Sequence, residues 1–165
     1  MPISTITSAG TTGVITSGTA VATTSGTSVD FTGIPSWAKR ITVIMNGVST
    51  NGTSSGLIQL GSGSITTTGY TSSSVIGGAG MAIFSSTSGF IMYSDQAVFA
   101  RTGTYTLNLM GNNLWVGSHA MTLSTSYGIY GAGNVTLSGT LDRIRITTVN
   151  GTDVYDAGSI NILYE

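Results

Sequence analysis

No stretch of useful length in this chain places apolar residues at helical spacing. Thr, Val, Ile and Tyr dominate instead, and Gly or Asn-Gly interrupts them again and again. Turn signals at intervals of about 8–12 residues mark short strands joined by tight turns. The physical reason is that β-branched and aromatic side chains suit a pleated surface, while Gly supplies the positive φ a turn needs. This rhythm confines the chain to an all-β fold, a sandwich or a barrel.

Several strands are legible one by one. Ile41, Val43 and Met45 alternate with Thr42, Ile44 and Asn46, with apolar residues on both faces, which predicts a strand covered from both sides. Tyr105, Leu107 and Leu109 alternate with Thr104, Thr106 and Asn108, and further strands are expected at 57–60, 114–116 and 119–125. Leu141–Val149 carries Ile144, Ile146 and Thr148 on one face. Asn150-Gly151 then predicts a type I′ hairpin, returning through Asp153–Tyr155. Ile160, Ile162 and Tyr164 close the chain as a strand pinned in a sheet. Before Ile41, Pro35 sets a tight turn over 33–40, and Asn46-Gly47 and Asn51-Gly52 read as loop tips. Residues 61–101 are the least regular. Residues 1–27 repeat Thr-Ser-Gly-Thr at 16–19 and 24–27 and read either as an arm or as short strands near 12–16, 19–23 and 27–32. Residues 28–165 form the sandwich domain.

Composition narrows function. A length of 165 residues fits one domain that stands on its own core. Only 7% of residues are charged, against about 25% in an ordinary soluble domain, while Ser and Thr supply close to a third and Gly 24 more. The polar surface is therefore made of hydroxyls and backbone. One Lys and four Arg are too few for a nucleic-acid surface. No apolar run reaches the length of a membrane helix, the start lacks the pattern of a signal peptide, and the absence of Cys removes disulfides and thiolate sites. Sheet edges are normally guarded by Lys, Pro or bulges. With so few charges and two Pro, the edges here are expected to be covered by another copy of the chain or by a larger assembly.

The chemistry-bearing residues do not assemble into a catalytic pattern. Gly52-Thr-Ser-Ser-Gly56 matches G-x-S-x-G, but a strand follows it where a nucleophile elbow needs a helix. His119 is the one histidine and reads as a half-exposed strand residue; no spacing ties it to Asp95, Asp142, Asp153 or Asp156. Asp153 and Asp156 are the closest acidic pair, set beside a turn where Asp is expected for backbone bonds. Gly77-Gly-Ala-Gly80 lacks the Lys and helix of a phosphate cradle. The chain thus reads as no enzyme, with no catalytic, cofactor-binding or metal-ligating residue; polysaccharide cleavage is the remotest reading. The aromatic residues remain. Tyr70, Trp115, Tyr127 and Tyr130 lie in Gly/Ser-rich segments or at strand junctions and are the candidates for contact with a receptor or partner, whereas Trp37 is expected to plug an end of the sandwich.

Two stretches carry a resemblance. Ser28-Val-Asp-Phe-Thr-Gly-Ile-Pro-Ser-Trp-Ala-Lys-Arg-Ile-Thr-Val-Ile-Met-Asn-Gly-Val-Ser-Thr-Asn-Gly-Thr53, with Ile58–Gly61 and Gly69-Tyr70, is the first, and Leu137–Glu165 is the second. Together they resemble a β-rich module at the C-terminal ends of tail-fibre and other virion proteins of tailed bacteriophages; 71–136 matches much less. The resemblance implies a jelly-roll-like antiparallel β-sandwich that forms a homotrimer on the virion after assembly in the bacterial cytoplasm. Its implied partners are adjoining tail or capsid proteins and host-surface polysaccharide. It transfers no catalytic residue. It implies that Ile34–Arg40 and Leu141–Ile146 are framework and that the stretch between them is variable. In that family a virion-attachment region usually precedes the module, so residues 1–27 are expected to attach, or the protein decorates the capsid by itself.

Overall fold

The computed structural model describes residues 15–78, 80–125 and 127–165, and among these there is no helix. Two antiparallel sheets pack face to face as a single-domain β-sandwich. The nine-stranded sheet runs in the order β1 (Thr16–Ser17), β14 (Tyr155–Tyr164), β4 (Arg40–Thr50), β10 (Arg101–Gly111), β11 (Leu114–Leu123), β12 (Tyr127–Thr136), β7 (Thr71–Gly77), β8 (Ala82–Ser86), with β2 (Val21–Ala22) also on β14. In the five-stranded sheet β13 (Arg143–Thr148) lies between β3 (Val29–Thr32) and β5 (Gly56–Ser62), and β5 also pairs β6 (Ser64–Ile65) and β9 (Phe90–Met92).

Alternation sets the core. Ile41, Val43, Met45, Tyr105, Leu107 and Ile162 point inward from the large sheet and meet Ile58, Leu60, Ile144 and Ile146 from the small one. Each fully buried aliphatic side chain contributes about 1.5–3 kcal/mol relative to exposure. The two stretches that resemble the phage module lie together: β4 pairs β14 in the large sheet, and β3 pairs β13 in the small one. Residues 71–136 build the far half of the large sheet and lend β9 to the small one.

Four turn and strand expectations are corrected. Asn150-Gly151 does not make a hairpin, because β13 and β14 belong to different sheets. It is a crossing turn in which Gly151 takes φ 68° and Asn150 Oδ1 accepts from Thr148 Oγ1 and from the N–H groups of Thr152 and Asp153. Asn46-Gly47 is not a loop tip but a bulge inside β4. Gly47 (φ 64°) faces Gly158 (φ 93°), whose missing Cβ would stand 2.4 Å from the Gly47 carbonyl oxygen. The segments expected at 114–116 and 119–125 are one strand, β11. The Gly-rich run holding Tyr127 and Tyr130 is not a loop either; it is β12, paired on both sides.

The described part of the opening segment, 15–27, joins the sandwich: β1 and β2 both pair with β14. The strand expected near 12–16 lies mostly outside the described residues.

Candidate functional site

Charge is divided unevenly over the molecule. Asp30 grips Arg145 across β3 and β13 through two bonds of 2.8 Å, and Asp142 takes Arg143 at 2.7 and 3.1 Å. Arg40 pairs Glu165 at the end of the sandwich. By contrast β7, β8, β11 and β12 contain no Asp, Glu, Lys or Arg, and the one in β10, Arg101, is buried. The outer face of that half is hydroxyls, methyls and rings.

Register builds a row across this face. Ile83 lies opposite Val75, Val75 opposite Tyr130, and Tyr130 opposite Ala120. Ile83 is 73% exposed and Tyr130 48%. Next to it the small side chains of Ser85, Ser73 and Ala132, with Val116 and Asn134, line an open trough of about 430 Å³. The row ends at β8, which among the described residues pairs only β7, so its outer edge offers backbone N–H and C=O groups with no strand partner among them. Met81, 78% exposed, stands just before it, and Phe84 stacks on Tyr93 with ring centroids 4.1 Å apart.

The four aromatic candidates therefore separate. Tyr130 is on this face. Tyr127 is half-buried, its ring edge-on to Phe99 at 5.5 Å. Tyr70 and Trp115 are corrected: both are core residues. The Tyr70 hydroxyl accepts the Leu60 N–H (2.8 Å) and donates to the Thr66 carbonyl (3.1 Å), and burial pushes its pKa up to about 12. Trp115 lies between Leu109 and Val135 on its neighbouring strands and has no face for a partner. Trp37 reverses the expectation the other way: it is 51% exposed and leans on Tyr164 at 5.6 Å. Residues absent from the sequence reading of contacts are Ile83, Met81 and Val75. Their only signal was an apolar piece between glycines with no charge nearby.

The interior holds an unexpected polar seam. His119 is buried, not half-exposed. Its ring stacks on Tyr105 (4.9 Å), and its Nε2 lies 3.2 Å from Ser74 Oγ. Both rings lie flat on the sheet because neighbouring strands yield room. A Cβ at Gly117 would stand 2.7 Å from the Tyr105 ring, and one at Gly131 2.7 Å from the His119 ring. Burial, and secondarily Arg101, lowers the His119 pKa to about 4, so the ring is neutral. Ser74 and His119 are no nucleophile and base: Ser74 is sealed off, its Oγ already accepts the Tyr93 N–H, and no acid meets Nδ1, which has no partner among the described residues. Tyr105 Oη and the Arg101 Nε and Nη2 are likewise unpartnered.

The remaining sequence candidates are structural. Asp153 caps the crossing loops, accepting from the Ser54 N–H (2.9 Å) and the Asn150 side chain (2.5 Å). Asp156 accepts from Ser49 Oγ at 2.5 Å. Ser54 sits in the loop between β4 and β5, its Oγ accepting the Asn150 N–H. Among the described residues no cluster of His and acids is arranged to hold a metal. No family model, no curated protein and no solved structure matches this chain.

Proposed function

We propose that this chain is a structural protein of the bacteriophage virion, of the tail-fibre class, which assembles as a homotrimer and binds the host surface or an adjoining fibre protein. The observation that carries the reading is the uncharged outer face of β11, β12, β7 and β8, ending in an open edge. A free-standing β protein guards such an edge with charge. Left bare, it suits another copy of the same chain, since an uncharged face meets its own kind without repulsion or desolvated ions.

The architecture supports the resemblance in one respect. The two stretches that carry it are adjacent in both sheets and form one half of the sandwich, the geometry expected of a framework. The other half, from 71–136, is where the exposed apolar row lies. Adhesion on a rigid sandwich, multiplied over three copies, suits weak single contacts with polysaccharide or protein.

Light scattering of the purified chain tests the assembly: a mass three times that of the monomer is expected, and a monomer at virion-relevant concentration overturns it. Counting copies per particle tests the placement. A few multiples of three support a fibre; hundreds of copies would make the protein a capsid decoration instead.

A further inference from the structure

The outer face of the five-stranded sheet carries a polar groove. Gln59, Arg145 and Asp30 stand opposite one another across β5, β13 and β3, and Leu57 stands opposite Thr147 in the next row. Ile58, Leu60, Ile144 and Ile146 alternate with them and face the core, so these rows point outward. Gln59, Arg145, Leu57 and Thr147, with Ser88 and Val149, line an open groove of about 270 Å³. Gln59 is 8% exposed, and its Nε2 donates to the Ser88 carbonyl at 2.9 Å. Gly89 lets that segment approach: a Cβ on it would stand 3.2 Å from Gln59 Cγ. The bond fixes the amide and with it the direction of Oε1. No donor among the described residues meets Oε1, yet it is not sealed from solvent as Arg101 Nε and Tyr105 Oη are. Its opening is the groove that Gln59 lines. Arg145 is fixed as well, its Nε and Nη2 holding both oxygens of Asp30 at 2.8 Å. Nη1, on the other side of the guanidinium from that edge, has no partner among the described residues, and the side chain is 39% exposed. The ion pair cancels its own charge, so the groove offers a fixed acceptor beside a fixed donor with no net charge. Thr147 gives its proton to the Thr27 carbonyl at 2.9 Å and keeps its oxygen as a further acceptor.

We propose that this groove binds one neutral sugar ring, with one hydroxyl donating to Gln59 Oε1 and another accepting from Arg145 Nη1. Sugar hydroxyls both donate and accept, which suits a fixed acceptor facing a fixed donor. Facing residues of neighbouring strands stand about 5 Å apart, within the span of one ring. Leu57 and Val149 supply an apolar side for the C–H face of the sugar. A charged sugar gains nothing here, because Arg145 is already answered by Asp30. The volume falls below the roughly 300–1,000 Å³ of drug-sized sites, so the groove takes a single ring, free or at the end of a glycan. The site lies on the opposite sheet from the uncharged face. It stands on the groove alone and does not rest on the virion reading, so it holds for a monomer and a trimer alike.

The test is a ¹⁵N–¹H spectrum of the full chain, titrated with glucose, galactose and mannose, with their methyl glycosides, and with glucuronate and inorganic phosphate. With at least one neutral sugar, the Gln59 side-chain NH₂ signals and the amides of Ser88 and Thr147 are expected to shift together and saturate, with a Kd of the order of 1 mM. The amides of β7 and β12 should stay in place. Methyl glycosides that bind assign the site to a chain end; free sugars that bind while the glycosides do not assign it to a monosaccharide. No saturating shift with any neutral sugar overturns the proposal and leaves the groove to water. Saturation by glucuronate or phosphate alone overturns it too, in favour of an anion at Arg145. Gln59→Met, which keeps the length and removes the acceptor, is expected to weaken binding about tenfold. Should Gln59→Met fail to fold, Arg145→Gln at the more exposed position removes the donor and is expected to weaken it by a similar factor. Unchanged affinity in whichever variant folds overturns the assignment.

Discussion

The half of the sandwich built from residues 28–70 and 137–165 and the half built from 71–136 handle their surfaces in opposite ways. Of the 11 charged residues only Asp95 and Arg101 fall in the second half, and Arg101 is inside. The first half ties its ions into pairs on its outer face and ends, as with Asp30 and Arg145. The second places rings and hydroxyls inside, over glycines, and leaves methyls and a tyrosine outside. The contrast teaches that edge protection and core polarity are separate choices. One half meets water with paired ions, and the other meets it with an uncharged face.

The comparison breaks most visibly at β8. Replacing Ile83 and Met81 together with Lys is expected to reduce the proposed trimer to monomers without lowering the unfolding midpoint. Val149→Lys, at an exposed apolar position in the first half, should leave the mass unchanged. Equal loss of assembly in both proteins would mean that net charge, and not this edge, governs association.

Inside the second half the effect is on stability. Gly131→Ala drives a methyl onto the Ser73 carbonyl oxygen (2.2 Å) and the His119 ring, where only backbone shift relieves it. A loss of about 4 kcal/mol is expected in urea unfolding. Gly63→Ala, with open space around it but positive φ, should cost about 1 kcal/mol in the first half.

Acid provides a third contrast. His119 is lowered to about 4 in the folded state, against 6.5 when exposed, so below pH 6.5 the unfolded chain binds a proton that the folded chain refuses. Stability therefore falls as pH drops from about 6.5 to about 4, by about 3 kcal/mol in all, and levels below that. His119→Gln should flatten this slope; a slope that persists would place the titration elsewhere. The smallest effect belongs to the charged face. Asp30→Asn is expected to cost less than about 1 kcal/mol, and raising the salt should shrink even that.

Much of this fold was written in period and punctuation. The β10, β13 and β14 alternations read directly because each has one apolar, inward face; β4, expected to be covered from both sides, is buried on one face and leaves Ile44 half-buried on the other. The Asn-Gly dipeptides misled because they specify positive φ and nothing about which sheet the chain enters next. At Asn46 that φ serves a bulge opposite Gly158; at Asn150 it serves a crossing. The Gly-rich strand β12 looked like a loop because the reason for its glycines lies in other strands, in the His119 ring of β11 and the backbone of β7 that press on Gly131 and Gly133. His119 was misjudged for the same reason. Its neighbour Ser74 is 45 residues away, so local pattern gave no hint of burial. Of the exposed apolar row, Tyr130 was legible as an unburied aromatic, whereas Ile83 and Val75 join it only through register.

The pairing of β4 with β14 also sets an order in time. Ile41 lies opposite Tyr164, and β3 waits on β13 in the same way. A ribosome must have made nearly the whole chain before the framework half can close, and contacts so distant in sequence make folding slow. The β10–β11–β12 meander needs only its own neighbours. During synthesis the half with the bare face has all its local partners first, and it waits, exposed, for the half that shields its inner side.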